Sequence, residues 1–249
     1  MKGVFWQDLK RSFWNIGFWA GLLAVTWILT SGVFQAPLNR TRSSYFILAN
    51  VEAASGFGPF AAIFPSLAYA SIFCEEYNRG YLKMILTRMS YKKFGMIRLI
   101  TVAISGGTML AIPILITYSM AYHFGVPGIP QGSDAGMLSG TIEFFYIEKY
   151  GDWYILFWKV ILGFLFGCMW ALAGLAFAVW IPNKYVSLIA PFVLYESMWI
   201  GFYKLPLLNP IWLMRGINNY PLSGLIECVY ILLAVIIVLL GLKRRCHYG

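Results

Sequence analysis

Charge is scarce in this chain: only 12% of its 249 residues are Asp, Glu, Lys or Arg, against 60% hydrophobic residues, a balance no soluble domain has. Histidine is scarcer still. His123 and His247 are the whole supply, which excludes His-rich di-iron oxygenases and bis-His haem proteins, whose metals need several imidazoles. The four cysteines, Cys74, Cys168, Cys228 and Cys246, stand at no metal-binding or redox spacing and read as packing residues. No G-x-x-x-x-G-K-[ST] phosphate loop occurs, nor any polar stretch large enough to fold as a nucleotide-binding domain. No internal repeat or low-complexity run is visible, so a repeat-built secondary transporter gains no support.

What is abundant is apolar sequence in long runs. About 20 mostly apolar residues cross about 30 Å of hydrocarbon, and six stretches qualify, about 13–34, 56–73, 99–124, 153–180, 186–203 and 222–242. They lack strict alternation, so helices rather than a barrel are expected. The fold class is therefore an all-α membrane protein, one domain over 1–249. The first span is long and has an aromatic lead-in without a small-residue cleavage site, and it is read as retained.

Lysine and arginine set the orientation. With both termini inside, the inner segments hold Lys2, Lys10, Arg11, Arg79, Lys83, Arg88, Lys92, Lys93, Arg98, Lys184, Lys243, Arg244 and Arg245, against Arg40, Arg42, Lys149, Lys204 and Arg215 outside. The formal charge of +9 is thus an inside-positive bias with attraction to anionic lipid, not a nucleic-acid footprint. Phe5, Leu9 and Phe13, with Trp6 and Trp14 nearby, lie opposite Gln7, Lys10, Arg11 and Asn15, which predicts an interfacial helix before the first span. The outer loop near 35–55 is polar, and that of 125–152 is turn-rich and then amphipathic. The segment 204–221 is apolar yet punctuated by Pro206, Pro210 and Pro221. A re-entrant pair of short outer helices, tolerable when packed on protein, is the expectation there.

One strongly charged interruption remains, 74–98: Glu75 and Glu76 come first and six bases follow around Gly80. The acids suit a helix N-terminus and Lys83 and Arg88 its other end, so one helix over about 74–88 is expected, with Glu75 pairing Arg79 and with Tyr77, Tyr81, Met84 and Ile85 on its apolar face. In that order, Glu76, Gly80, Lys83, the run Met89-Ser90-Tyr91-Lys92 and Arg98 resemble the permease subunits of type-2 ATP-binding cassette transporters. That family places an acid after the second span, then a glycine, a coupling helix, a Pro-x-Ser-basic turn and a basic opening to the third span. Met89 stands where the family commonly has proline. The resemblance covers the six spans, the inner termini and the apolar segment before the last span.

It implies a permease pairing with a second one, identical or related, and with a separate ATP-binding subunit that carries ATP and Mg; this chain itself needs no cofactor and no metal and is not an enzyme. Glu75, Glu76, Arg79, Gly80, Tyr81 and Lys83 are then the contact with the ATPase subunit. Export of an amphipathic or hydrophobic compound such as a peptide or drug, at a bacterial plasma membrane, is the implied task.

Ionisable residues inside spans are costly and mark candidate sites. Lys159, Glu196 and Glu227 lie about five to seven residues from the expected outer ends of their spans, at about 1.5 Å per residue. A cluster of Lys159 with Glu196 or Glu227 is expected, whether it fixes packing or lines a path. Two rivals follow from the same residues. One is a stand-alone ion-coupled carrier using Glu196 and Glu227. The other is an intramembrane enzyme, since Glu75-Glu76-x-x-Arg79 resembles the glutamates of membrane-embedded prenyl-protein proteases, but the histidines that family requires are missing.

Overall fold

The computed structural model describes residues 2–35, 44, 51–52, 54–70, 72–125, 142–216 and 219–248. Most of the outer loop expected near 35–55, with Arg40 and Arg42, and the turn-rich part of the second loop lie outside the described residues. Those described form helices and turns, with no strand. In chain order they are α1 (Lys2–Phe13), α2 (Ile16–Gln35), a 3-10 turn (Gly58–Phe60), α3 (Ile63–Tyr69), α4 (Ile72–Asn78), α5 (Tyr81–Arg88), α6 (Tyr91–Phe124), α7 (Ile142–Tyr150), α8 (Asp152–Trp180), α9 (Lys184–Gly201), α10 (Pro210–Arg215) and α11 (Tyr220–Tyr248).

Four helices are long and apolar enough to cross a membrane, over Ile16–Phe34, Tyr91–Phe124, Trp153–Trp180 and Tyr220–Arg245. They suggest a membrane-embedded protein. The other two expected spans, 56–73 and 186–203, are not among them. Positive φ at Gly56 and prolines at 59 and 65 break the first into the 3-10 turn and α3, since proline removes a backbone donor and glycine lowers the cost of a bend. The second is α9, whose 18 residues include Lys184, Pro191 and Glu196. The third expected span begins earlier than 99: nothing interrupts the helix after Ser90, an extended residue at its N-cap, so Lys92, Lys93 and Arg98 are its opening turns.

α8 is the axle. Two-thirds of its most apolar window is buried (67%), compared with 28% for α11 at the rim, and it runs against α6 and α11 and also touches α3, α4, α7, α9 and α10. Close approach to α6 comes from small residues. A Cβ on Gly106 would lie 2.8 Å from the Gly167 carbonyl oxygen, and one on Gly107 would lie 2.6 Å from the Phe164 ring. Contacts that close let dispersion act between backbones where lipid offers no hydrophobic drive.

The bundle has two ends. At the basic end, α1, α4 and α5 meet the start of α6, the α8–α9 turn and Arg245 of α11. At the far end, Phe34 of α2 meets Phe124 of α6, and α7 and α10 close over the start of α8. Among the described residues of the segment 204–221, one short helix stands ahead of α11 rather than two. Turns lead into α10, whose Pro210, Ile211, Leu213 and Met214 are buried on protein.

α1 departs from a simple interfacial helix. Trp6 and Trp14 are exposed, as an aromatic belt requires, but Asp8 and Ser12 are buried. Its protein-facing side is therefore polar.

Candidate functional site

At the basic end a guanidinium is buried in the protein. Arg98 of α6, 2% exposed, forms an ion pair with Glu76 of α4, and its Nη1 lies 3.2 Å from Asp8 Oδ1 of α1. Its plane lies 4.9 Å from the Tyr69 ring and 5.3 Å from the Phe94 ring, an arrangement that suits the weakly hydrated guanidinium. The Tyr69 hydroxyl of α3 donates to Asp8 Oδ1 at 2.5 Å. Arg11 stands 3.8 Å from Glu76 Oε1 at the solvent side. Four helices are thus joined through one buried cation, each charge meeting an opposite one, as burial demands. Two acids share that cation, and burial raises the Glu76 carboxyl above its ordinary value while Arg98 pulls it down.

The turn of α4 that supplies Glu76 sends its neighbours elsewhere. Glu75 accepts from Lys184 Nζ at 2.7 Å, tying α4 to the first residue of α9; that hydrogen bond holds the lysine above its ordinary value. The Tyr77 ring lies 4.6 Å from the Arg245 guanidinium of α11. Arg245 in turn donates to the Val179 carbonyl and, at 2.8 Å, to the Trp180 carbonyl, capping the last carbonyls of α8. Asn78 Nδ2 donates to the Pro182 carbonyl at 3.4 Å. Four successive residues, Glu75 to Asn78, therefore reach α9, α6 with α1, α11, and the α8–α9 turn.

The single helix expected over 74–88 is two. Gly80 takes φ +73° between α4 and α5, a left-handed position that strains any residue with a Cβ. With α4 committed to Lys184, the expected pairing of Glu75 with Arg79 does not form. Arg79 and Tyr81 are exposed on the elbow. Lys83 lies in α5, but its side chain is outside those described. Met89 is extended at φ −146°, outside the range of proline, so the turn into α6 follows a different course from the Pro-x-Ser pattern. A cavity of about 210 Å³ lies between α1, α5 and the start of α6, lined by Gln7, Asp8, Arg11, Tyr81, Ile85 and Arg98.

The expected cluster within the spans is not assembled. Lys159 of α8, 6% exposed, lies 3.3 Å from Glu143 Oε1 of α7 and donates to the Arg215 carbonyl at 2.9 Å. Arg215 in turn lies 3.5 Å from Glu52. Glu143, placed in a loop by sequence, is carried inward by α7. Among the described residues Glu196 has one buried oxygen without a hydrogen-bond partner and Glu227 has both. Sequence reasoning also missed Asp8 and Tyr69. Asp8 had one signal, as the sole acid in a basic amphipathic start.

An apolar cavity of about 470 Å³ opens between α8, α9 and α11, lined by residues that include Trp170, Phe177, Trp180, Leu194, Met198 and Tyr230. It is of the size and character that hold drug-sized apolar molecules. Comparison with protein-family models, curated proteins and solved structures found no match to this chain.

Proposed function

We propose that this chain is the permease subunit of a type-2 ATP-binding cassette transporter, six-spanning with both termini in the cytoplasm. In this reading the 3-10 turn with α3, up to the first residues of α4, serves as the second span and α9 as the fifth, and the α4–α5 elbow is the coupling element. The observation that carries it is the turn of α4 from Glu75 to Asn78, whose successive side chains hold four other parts of the molecule. A displacement applied at the elbow is delivered to α6, α8, α9 and α11 together. That is what a transporter needs where force enters from a separate subunit.

Exposed Arg79 and Tyr81 offer the docking face, and Gly80 sets the angle of α5. ATP and Mg belong to the partner subunit, and a second permease, identical or related, completes the pathway. The apolar cavity between α8, α9 and α11 favours an amphipathic or hydrophobic cargo such as a peptide or drug, exported across a bacterial plasma membrane.

Co-expression with an ATP-binding subunit encoded beside it tests the reading. The two should co-purify, and R79E with Y81A should abolish that while leaving the permease folded. Transport that persists with ATP hydrolysis blocked and follows a proton gradient would overturn it.

A further inference from the structure

α11 and the residue before it carry a row of polar side chains that the described residues leave unanswered. Asn219, just ahead of the helix with its carbonyl bonded to Ser223 N, and Ser223 and Glu227 within it recur at every fourth residue, a rise of about 6 Å each time. Ser223 is 1% exposed and Glu227 0%. Asn219 Oδ1, Ser223 Oγ and both carboxyl oxygens of Glu227 are buried with no hydrogen-bond partner among the described residues. Folded proteins pair nearly all such atoms with protein or water, so four in one row ask for a common partner.

Among the described residues, the helices packed on α11 supply no ion pair for Glu227. α8 brings the Cys168 thiol toward it, and that thiol donates to the Ala103 carbonyl at 3.1 Å. Lys159, also of α8, is held by Glu143 and the Arg215 carbonyl. Arg215, at the end of α10, faces Glu52. The charged side chains of α6, Lys92, Lys93 and Arg98, and its His123 lie in its end turns, and Cys228 is the chain neighbour on α11. An ionised carboxylate placed alone at this depth is unfavourable, and the protonated acid is the form such a setting admits. Water fits the row. One molecule making two hydrogen bonds of about 2.8 Å spans about 5.6 Å, close to the helical repeat.

We propose that Asn219, Ser223 and Glu227 form a hydrated track through which protons enter from the Tyr220 end of α11 and bind the Glu227 carboxyl. The ligands of this site are water and the proton. Release breaks the carboxyl O–H bond and forms one on the adjacent water, with no change of oxidation state. The site stands apart from any ATP-driven partner, because none of its residues belongs to the α4 hub.

Infrared difference spectroscopy of the purified chain in lipid nanodiscs tests it. The wild type should show a protonated-carboxyl C=O stretch that E227Q removes and E227D moves, and the band should shift promptly in D2O. S223L, which fills the track with an apolar side chain, should slow that shift at least tenfold without removing the band. Absence of a band lost in E227Q would overturn the proposal. A band indifferent to D2O, or one exchanging equally fast in S223L, would overturn the track.

Discussion

At the basic end of the bundle a buried guanidinium meets two carboxylates and two aromatic rings, whereas within α11 a fully buried carboxyl meets no partner among the described residues. The far-end pair of Lys159 and Glu143 lies between these extremes, with one ion pair and one backbone carbonyl. The series separates two uses of a buried polar group. Where partners converge from several helices, the group fixes their relative positions. Where none converge, it is free to exchange a proton.

The contrast can be broken by substitution. R98M leaves Asp8 without a cation and Glu76 with only Arg11 at the solvent side, and should cost about 3–5 kcal/mol, read from unfolding in detergent; adding D8N and E76Q should recover part of the loss. K159M leaves Glu143, nearer the bundle end, with only the Tyr220 hydroxyl at 3.4 Å and should cost about 1–3 kcal/mol, with K159M/E143Q partly restored. If K159M proves the more damaging, the ordering of the two ends is reversed.

Smaller effects sharpen the same contrast. Because burial raises the Glu76 carboxyl in the folded state, the fold binds that proton more tightly than the unfolded chain. Its contribution is then present below the ordinary carboxylate range and declines as pH rises through the raised value. E76Q should flatten the melting temperature across that window. E75Q removes a half-exposed pair with Lys184 and should cost less than about 1 kcal/mol, shrinking further in salt. E227L should be neutral or slightly stabilising, since it replaces an unpaired buried carboxyl with an apolar side chain. A loss comparable with that of R98M would mean Glu227 is structurally held.

The helical character and the special status of residues 74–98 were legible from composition alone, because apolar run length and a lone charged block are one-dimensional signals. Partner identity was not. Arg98 was visible as the basic opening of the third span, but Asp8 lies 90 positions away and no local pattern sets the angle at which α1 returns to α6. Glu143 fell in the amphipathic part of the outer segment 125–152 with no partner indicated, because its inward placement depends on how α7 folds over α8. The break at Gly80 was missed since glycine inside a helix costs only about 1 kcal/mol relative to alanine, too little for pattern to decide; its φ of +73° decides it. The interruption of the stretch 56–73 was missed for the opposite reason: its apolar length outweighed the breakers at 56, 58, 59 and 65.

The clasp of Arg245 on Tyr77 and on the last carbonyls of α8 has a consequence for the order of assembly. Every other support of the α4 turn comes from helices made earlier, so during synthesis the elbow is available but unfastened until α11 has joined the bundle. A subunit that recognises the fastened elbow would then engage only chains whose α11 has been inserted, and a variant such as R245A would assemble its helices yet fail that inspection.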